Sequence, residues 1–287
     1  MTATDLTLRY PELGTGPVST DVYWREEFYE RELAAIFRQT WLCVGREDSI
    51  PDNGDFFTHE LPTFHMSIIV ARGKDGVIRA FHNVCQHRGT IVELRDRGNC
   101  KLFQCPFHGW AYSLEGELQG VPDQKAFYDL DREKRGLPRV AADVWEGFVF
   151  INLNPSPEQS LVEYLGAQGS ELAGFWQFGQ RNAEFEFEAR IKTNWKLMID
   201  SFTEIYHVPF LHKRSVAESI CGPNNPTGHI IDFYPKYPHR TATLAGNPEY
   251  SPFPVQGLAW QHAAGPPVTS GGSDASQIAK LPVGVNP

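Results

Sequence analysis

The sequence predicts an α+β protein in which a small all-β domain is followed by an incomplete α+β domain. Three observations carry this reading. From Trp41 to Asn154, short apolar runs alternate with turn signals at the spacing of an all-β domain. Asn154, Pro155, Ser156 and Pro157 then interrupt regular structure with two prolines, which marks the domain boundary. Beyond them helical periodicity returns, before eleven of the chain's 21 prolines crowd into residues 222–287. The expected organisation is an N-terminal arm and helix over 1–40, the β domain over 41–154, and the N-terminal part of a second domain over 155–287.

Within that frame, residues 1–18 read as a loose arm. Ser19 to Thr40 reads as a helix, with Ser19, Thr20 and Asp21 as candidate caps and Tyr29, Leu33, Ile36 and Phe37 at helical spacing. Met66–Ala71 and Val77–Val84 flank Gly73, Lys74, Asp75 and Gly76, the pattern of a hairpin. Lys101–Cys105 and Trp110–Leu114 bracket a second loop, and Glu115 with Gly116 turns the chain again. Trp145–Leu153 reads as one strand. Glu158–Leu165 is a short helix candidate, and Glu184–Ile191 alternates Phe185, Phe187, Ala189 and Ile191 on one face, as a half-buried strand does. Asn194–His207 reads as a helix, and 222–287 as loops. A structureless stretch of that length is unusual inside a compact domain, and the chain looks cut.

The bulk numbers exclude several classes. A net charge of −9 over 287 residues argues against a nucleic-acid binder. No run of 18 or more apolar residues offers a membrane span, and the first residues, with Asp5 and Arg9 among them, lack the apolar region of a signal peptide. Five cysteines, at 43, 85, 100, 105 and 221, form an odd, sparse set that suits a reducing compartment. The expected location is the cytoplasm.

Four residues then stand out. Cys85-x-His87 and Cys105-x-x-His108, with seventeen residues between, place one thiol and one imidazole in each of two loops. Two such loops can pinch one dinuclear [2Fe–2S] cluster, thiolates on one iron and imidazoles on the other. Neutral imidazoles lower the negative charge of the cluster and make its reduction easier. The competing reading is a zinc knot, but zinc sites more often use paired C-x-x-C or H-x₃₋₅-H spacings. Gly89 and Gly109 allow close approach of backbone, Pro106 stiffens the second loop, and Trp110 can pack over it.

A second constellation follows downstream. On a continuous helix Asp200, Glu204 and His207 would form one polar stripe, with Leu197, Met198, Phe202, Ile205 and Tyr206 as packing residues. Pro209 should end or kink that helix and could swing His212 toward His207. Two histidines with one carboxylate and open positions are the facial triad of non-haem Fe(II) oxygenases.

Residues 85–110 resemble the Rieske signature CxHRG…CPxHGW, and residues 194–212 resemble the NWK…D/E-x-x-H-x₄-H segment of Rieske-type non-haem iron oxygenases. The resemblance to the large (α) subunit of aromatic-ring-hydroxylating oxygenases covers nearly the whole chain. It implies a Rieske [2Fe–2S] domain held by Cys85, His87, Cys105 and His108, then part of a helix-grip-like catalytic domain. It implies that His207 and His212 bind a mononuclear Fe(II). Glu204 would bridge that site to a Rieske histidine of the neighbouring subunit, and Asp200 matches a nearby polar position of less defined role. The family's third ligand is a carboxylate more than a hundred residues past the second histidine, whereas 75 residues follow His212 here; Asp232, Asp274, Glu218 and Glu249 stand in no recognised context.

The resemblance further implies a terminal oxygenase component. Electrons would come from NAD(P)H only indirectly, through a reductase and/or a ferredoxin component, to activate O2 and hydroxylate an aromatic or related organic substrate. The expected assembly is a homotrimer, with or without β subunits. Two rivals are a Rieske-type electron carrier without oxygenase activity and a zinc protein with an interaction role. A carrier would leave the stretch from Asn194 to His212 without a purpose.

Overall fold

The structure, a computed structural model, describes residues 16–180, 189–223, 225–228, 232–233, 239, 242–243 and 246–255. The described residues between Glu26 and Ala189 pack as one compact unit, and those up to Arg25 pack with those from Arg190 onward as another. The expected α+β class is borne out.

The larger unit is built on antiparallel sheet. Strands β1 (Leu42–Arg46), β2 (Asp55–Leu61), β3 (Met66–Arg72), β4 (Ile78–His82), β5 (Arg97–Asn99), β9 (Arg139–Trp145) and β10 (Phe148–Asn152) form a seven-stranded sheet in the order β1-β10-β9-β4-β3-β2-β5. Between them in sequence, β6 (Phe103–Gln104), β7 (Ala111–Tyr112) and β8 (Leu118–Gly120) form a second, three-stranded sheet. Strand β3 explains why the two layers hold. Side chains alternate across a strand, so Ile69 and Ala71 join Phe56, Phe81, Phe103, Trp110 and Tyr112 in one core. Ile68 and Val70 enter another, with Val44, Ile50, Phe57, Val149 and Ile151. Both faces of this strand are buried, hence its unbroken apolar sequence.

The hairpin expected around residues 73–76 is present as β3–β4, with Ile69 opposite Phe81. Trp145–Leu153 is not one strand. Glu146 and Gly147 both have positive φ (49° and 79°) and turn β9 into β10, pairing Trp145 with Phe148. Such two-residue turns favour Gly, Asn and Asp, so a glutamate concealed this one. Its carboxylate accepts the Gly179 N–H at 2.9 Å, which helps hold the turn.

The helix expected from Ser19 to Thr40 is broken. Helix α1 (Asp21–Trp24) ends where Arg25 adopts an extended ψ of 125°. Helix α2 (Glu26–Glu32) then continues into a π-helical turn over Leu33–Phe37. The break coincides with the division between the compact units, so the two halves of one periodic stretch answer to different packing. Helix α3 (Leu161–Trp176) starts from a capping box in which Ser160 Oγ accepts the Glu163 N–H and Glu163 accepts the Ser160 N–H. Gly166, at φ 61° and ψ −154°, breaks it just after Leu165, where the expected short helix ends, and a second helical stretch follows.

The smaller unit contains α4 (Trp195–Asp200), α5 (Val208–Leu211), α6 (Ala217–Ile220) and a short hairpin of β11 (Asp232–Phe233) with β12 (Ala242–Thr243). Asn194 caps α4 by accepting the Lys196 N–H at 3.0 Å. The continuous helix expected over Asn194–His207 is therefore replaced by α4, a turn and α5. Pro209 sits in the first turn of α5, where its missing N–H costs no hydrogen bond, so it begins a helix instead of ending one. Leu197, Met198, Phe202 and Tyr206, expected as packing residues, are exposed among the described residues. Residues 184–188 of the expected strand over Glu184–Ile191 and most of the loops expected over 222–287 lie outside them, and residues 189–191 are described but not in a strand. No helix among them is long and apolar enough to cross a membrane.

Candidate metal centres

Two loops of the larger unit share one hydrogen-bond scheme. In the loop after β4, the Cys85 carbonyl accepts the Gly89 N–H at 2.9 Å and the Cys85 N–H donates to Thr90 O at 2.8 Å. In the loop between β6 and β7, the Cys105 carbonyl accepts the Gly109 N–H at 3.0 Å and the Cys105 N–H donates to Trp110 O at 2.8 Å. Each loop closes through a left-handed glycine, Gly89 at φ 76° and Gly109 at φ 70°. A Cβ at Gly89 would meet no protein atom within 4 Å, so glycine is demanded there by the backbone and not by crowding.

The loops bring the four expected residues together with sulfur inside and nitrogen outside. Cys85 and Cys105 are buried, His87 is half-buried and His108 is exposed. The two imidazoles lie with ring centroids 4.6 Å apart, and His87 stacks on Trp110 at 4.9 Å with planes 9° apart. His87 Nδ1 is sealed from solvent and has no hydrogen-bond partner in the protein. Leaving a buried polar atom unsatisfied costs about 1–3 kcal/mol. Burial, with the neighbouring His108 and Arg88, lowers the His87 pKa and favours the neutral imidazole that ligation requires.

Support for the loops comes from residues that motif reading passes over. Buried Asn83 donates to Glu93 O at 2.7 Å and accepts the Val92 and Glu93 N–H groups at 3.0 and 2.8 Å. The Glu93 carboxylate pairs with Arg95 at 2.7 Å. Tyr112, on β7, places its hydroxyl 3.2 Å from Cys85 Sγ and accepts the Gln86 N–H at 3.0 Å. Burial and the nearby Cys85 push its phenol pKa up. Cys100, packed at the edge of the same core, has its thiol pushed up to about 11, mainly by burial.

In the smaller unit, His207 and His212 flank the single turn of α5, and their ring centroids are 5.3 Å apart. One helical turn with Pro209 in it achieves what a straight helix would not. Glu204 Oε1 lies 2.5 Å from His207 Nδ1, and Oε2 accepts the His207 N–H at 3.2 Å. The hydrogen bond with His207 holds the Glu204 carboxyl below its usual range. With Nδ1–H donated to the carboxylate, Nε2 is the nitrogen of His207 that can bind a metal. Asp200 turns elsewhere: its Oδ2 accepts the Tyr23 hydroxyl at 2.7 Å. The expected polar stripe of Asp200, Glu204 and His207 is thus absent, because α4 stops at Asp200. Among the described residues, no group of three or more His, Cys, Asp and Glu side chains is placed to hold one metal ion. A dinuclear cluster does not require one, since each of its irons takes two protein ligands.

Residues 40–140 match the Rieske [2Fe-2S] domain, and residues 179–279 match the catalytic domain of the ring hydroxylating alpha subunit. The chain belongs to the family of Rieske oxygenase large subunits. The large oxygenase component of the naphthalene 1,2-dioxygenase system of Pseudomonas aeruginosa is 36% identical to it over 201 residues, covering 68% of this chain and 44% of that protein. Naphthalene 1,2-dioxygenase from Rhodococcus sp., solved with indole bound, superposes with a TM-score of 0.68 at 28% identity, covering 80% of this chain and 53% of the other. A quaternary ammonium Rieske monooxygenase, whose structure bears on carnitine oxidation and inter-subunit electron transfer, gives 0.65 at 28% identity, covering 70% and 54%. This Rieske oxygenase chain spans about half the length of the curated relatives it matches.

Membership implies a [2Fe–2S] cluster and, in the catalytic domain, a mononuclear iron. The larger unit fits the first: both thiols are buried in one core, the two imidazoles lie side by side, and the orphaned Nδ1 of His87 is a ligand atom with no protein partner. Sulfur and nitrogen ligands of this kind suit iron–sulfur chemistry. The smaller unit presents the two-histidine portion of the second site.

Proposed function

We propose that this chain is the terminal oxygenase component of a Rieske system, acting on an aromatic or related organic substrate. Cys85, His87, Cys105 and His108 would hold the cluster, and His207 and His212 the mononuclear iron. When bound, the cluster would supply one-electron transfer and the iron a site for O2. Dihydroxylation places both oxygen atoms in the product and consumes two electrons and two protons; monohydroxylation releases one oxygen as water. NAD(P)H would supply the electrons through a reductase, with or without a ferredoxin. The observation that carries this reading is the matched pair of loops, which buries both sulfurs and leaves a ring nitrogen of His87 without any protein partner.

The chain's own residues support distinct parts of the task. The buried Cys85 and Cys105 keep solvent from the sulfur side, while exposed His108 turns the nitrogen side outward. That is the side from which an electron would leave. Glu204 orients His207 through Nδ1, and an anion in that place raises the basicity of the ring. Its carboxylate is exposed, which agrees with a bridge to a Rieske histidine of a neighbouring subunit in a homotrimer, with or without β subunits. Five unpaired thiols agree with a cytoplasmic location.

Iron and acid-labile sulfide in anaerobically purified protein test the reading. Two irons and two sulfides per chain, with a reddish-brown visible spectrum, are expected for the cluster alone. A colourless protein containing zinc would overturn it. Substrate-dependent O2 uptake by the complete large subunit, supplied with its reductase, tests the oxygenase step.

A further inference from the structure

Helix α4 is six residues long, far below the roughly 12–15 residues that an isolated helix needs in water. Its Leu197, Met198 and Ile199 are exposed among the described residues, so apolar burial supplies little of what holds it. One residue of α1 meets it at both ends. At its N-terminus, the cap Asn194 donates from Nδ2 to the Tyr23 carbonyl at 3.0 Å. At its last residue, Asp200 Oδ2 accepts the Tyr23 hydroxyl at 2.7 Å. Between them, Lys196 Nζ stands 5.8 Å from the centroid of the Tyr23 ring. Tyr23 therefore spans α4 from end to end, main chain on one terminus and side chain on the other.

The tie at Asp200 leads straight into the histidines. The Asp200 carbonyl accepts both the Thr203 N–H at 3.0 Å and the Thr203 hydroxyl at 2.8 Å, closing the turn after α4. Glu204 follows, with its two oxygens on the ring and N–H of His207. We propose that Tyr23 is a positioning residue for the mononuclear-iron site, bracing α4 at both ends so that the turn carrying Glu204 and His207 leaves it in one direction. Tyr23 touches no expected ligand. It acts through Asp200 and Thr203, and the inference rests on the reading of His207 and His212 as iron ligands.

Tyr23→Phe keeps the ring and removes only the hydroxyl. In the full chain with its cluster loaded, two quantities are compared with the parent: amide hydrogen exchange over residues 196–203, and Fe(II) affinity in an anaerobic titration. A hydrogen bond to a carboxylate supports about tenfold faster exchange in Tyr23→Phe, and about threefold or more weaker Fe(II) binding. The visible spectrum of the cluster should be unchanged, which a general loss of structure would not allow. Asp200→Asn retains an acceptor and should preserve most of both quantities, whereas Asp200→Ala should match Tyr23→Phe, and the double variant should be no worse than either. Exchange and Fe(II) affinity at parental values in Tyr23→Phe would overturn the brace alone. A parent that binds no Fe(II) would overturn the ligand reading on which it rests.

Discussion

The Tyr112 hydroxyl stands 3.2 Å from Cys85 Sγ while accepting the Gln86 N–H at 3.0 Å. A metal-bound Cys85 thiolate has no proton to give, so in that contact the hydroxyl would be the donor. A hydrogen bond to a metal-bound thiolate stabilises the more negative, reduced state. Tyr112→Phe keeps the buried ring and loses the donor. The expected result is an intact cluster whose potential falls by about 50 mV, one hydrogen bond of about 1 kcal/mol in a one-electron couple. Redox titration followed by visible absorption measures it, and an unchanged potential would show that the hydroxyl does not reach the sulfur.

His108 is exposed, and its loss leaves no hole in the core. His108→Ala should nevertheless abolish the cluster, because a cluster iron would be left with one protein ligand in place of two. Iron and acid-labile sulfide should both fall to background. Retention of the parental spectrum would remove His108 from the ligand set.

Glu204→Gln keeps an acceptor near His207 but removes the negative charge. In the complete large subunit, both metal groups should remain while turnover drops about 10–100-fold, the usual range for altering a partner of a metal-bound histidine. Steady-state hydroxylation beside metal analysis checks this. Hydroxylation at the parental rate would remove the bridging role.

Glu93 is almost wholly buried, and its partner Arg95 is about half exposed. Burial, the largest single effect, raises the Glu93 pKa, but the hydrogen bonds and charge of Arg95, with the Leu94 amide, together bring it below the ordinary 4.5. A depressed folded pKa contributes stability that is present above the unfolded value and lost as pH falls through the folded one. Glu93→Gln should therefore cost roughly 1 kcal/mol near neutral pH, discounted for the exposed partner. The deficit should vanish in acid as the parental carboxyl is protonated. Thermal unfolding of both proteins from pH 7 down to about 3 reads this directly; a deficit independent of pH would point to packing instead of charge.

The two centres differ in how far sequence alone could define them. The ligand loops were legible because their requirements are local. Cysteine and histidine at fixed spacing, a glycine that can turn left-handed, and a proline that stiffens the loop all fall within a few residues of one another. The helix over 194–207 was misread for the converse reason. Its periodicity was genuine, but α4 ends at Asp200, and the chain re-enters a helix only at Val208, where Pro209 is accommodated in the first turn. The turn at Glu146 was hidden because an acidic side chain replaced the usual turn residues.

Sequence by itself determined which side chains the proposal assigns to metals: two cysteines and two histidines in one pair of loops, and two further histidines downstream. Ligand chemistry resides in side-chain identity, so it survives without coordinates. Only the tertiary structure decided how those atoms are tuned and aimed. Tyr112 reaches Cys85 across 27 residues, and Tyr23 reaches Asp200 across 177. Such contacts arise from strand pairing and helix docking between distant segments, and hydrogen bonds formed that way leave no periodic trace along the chain.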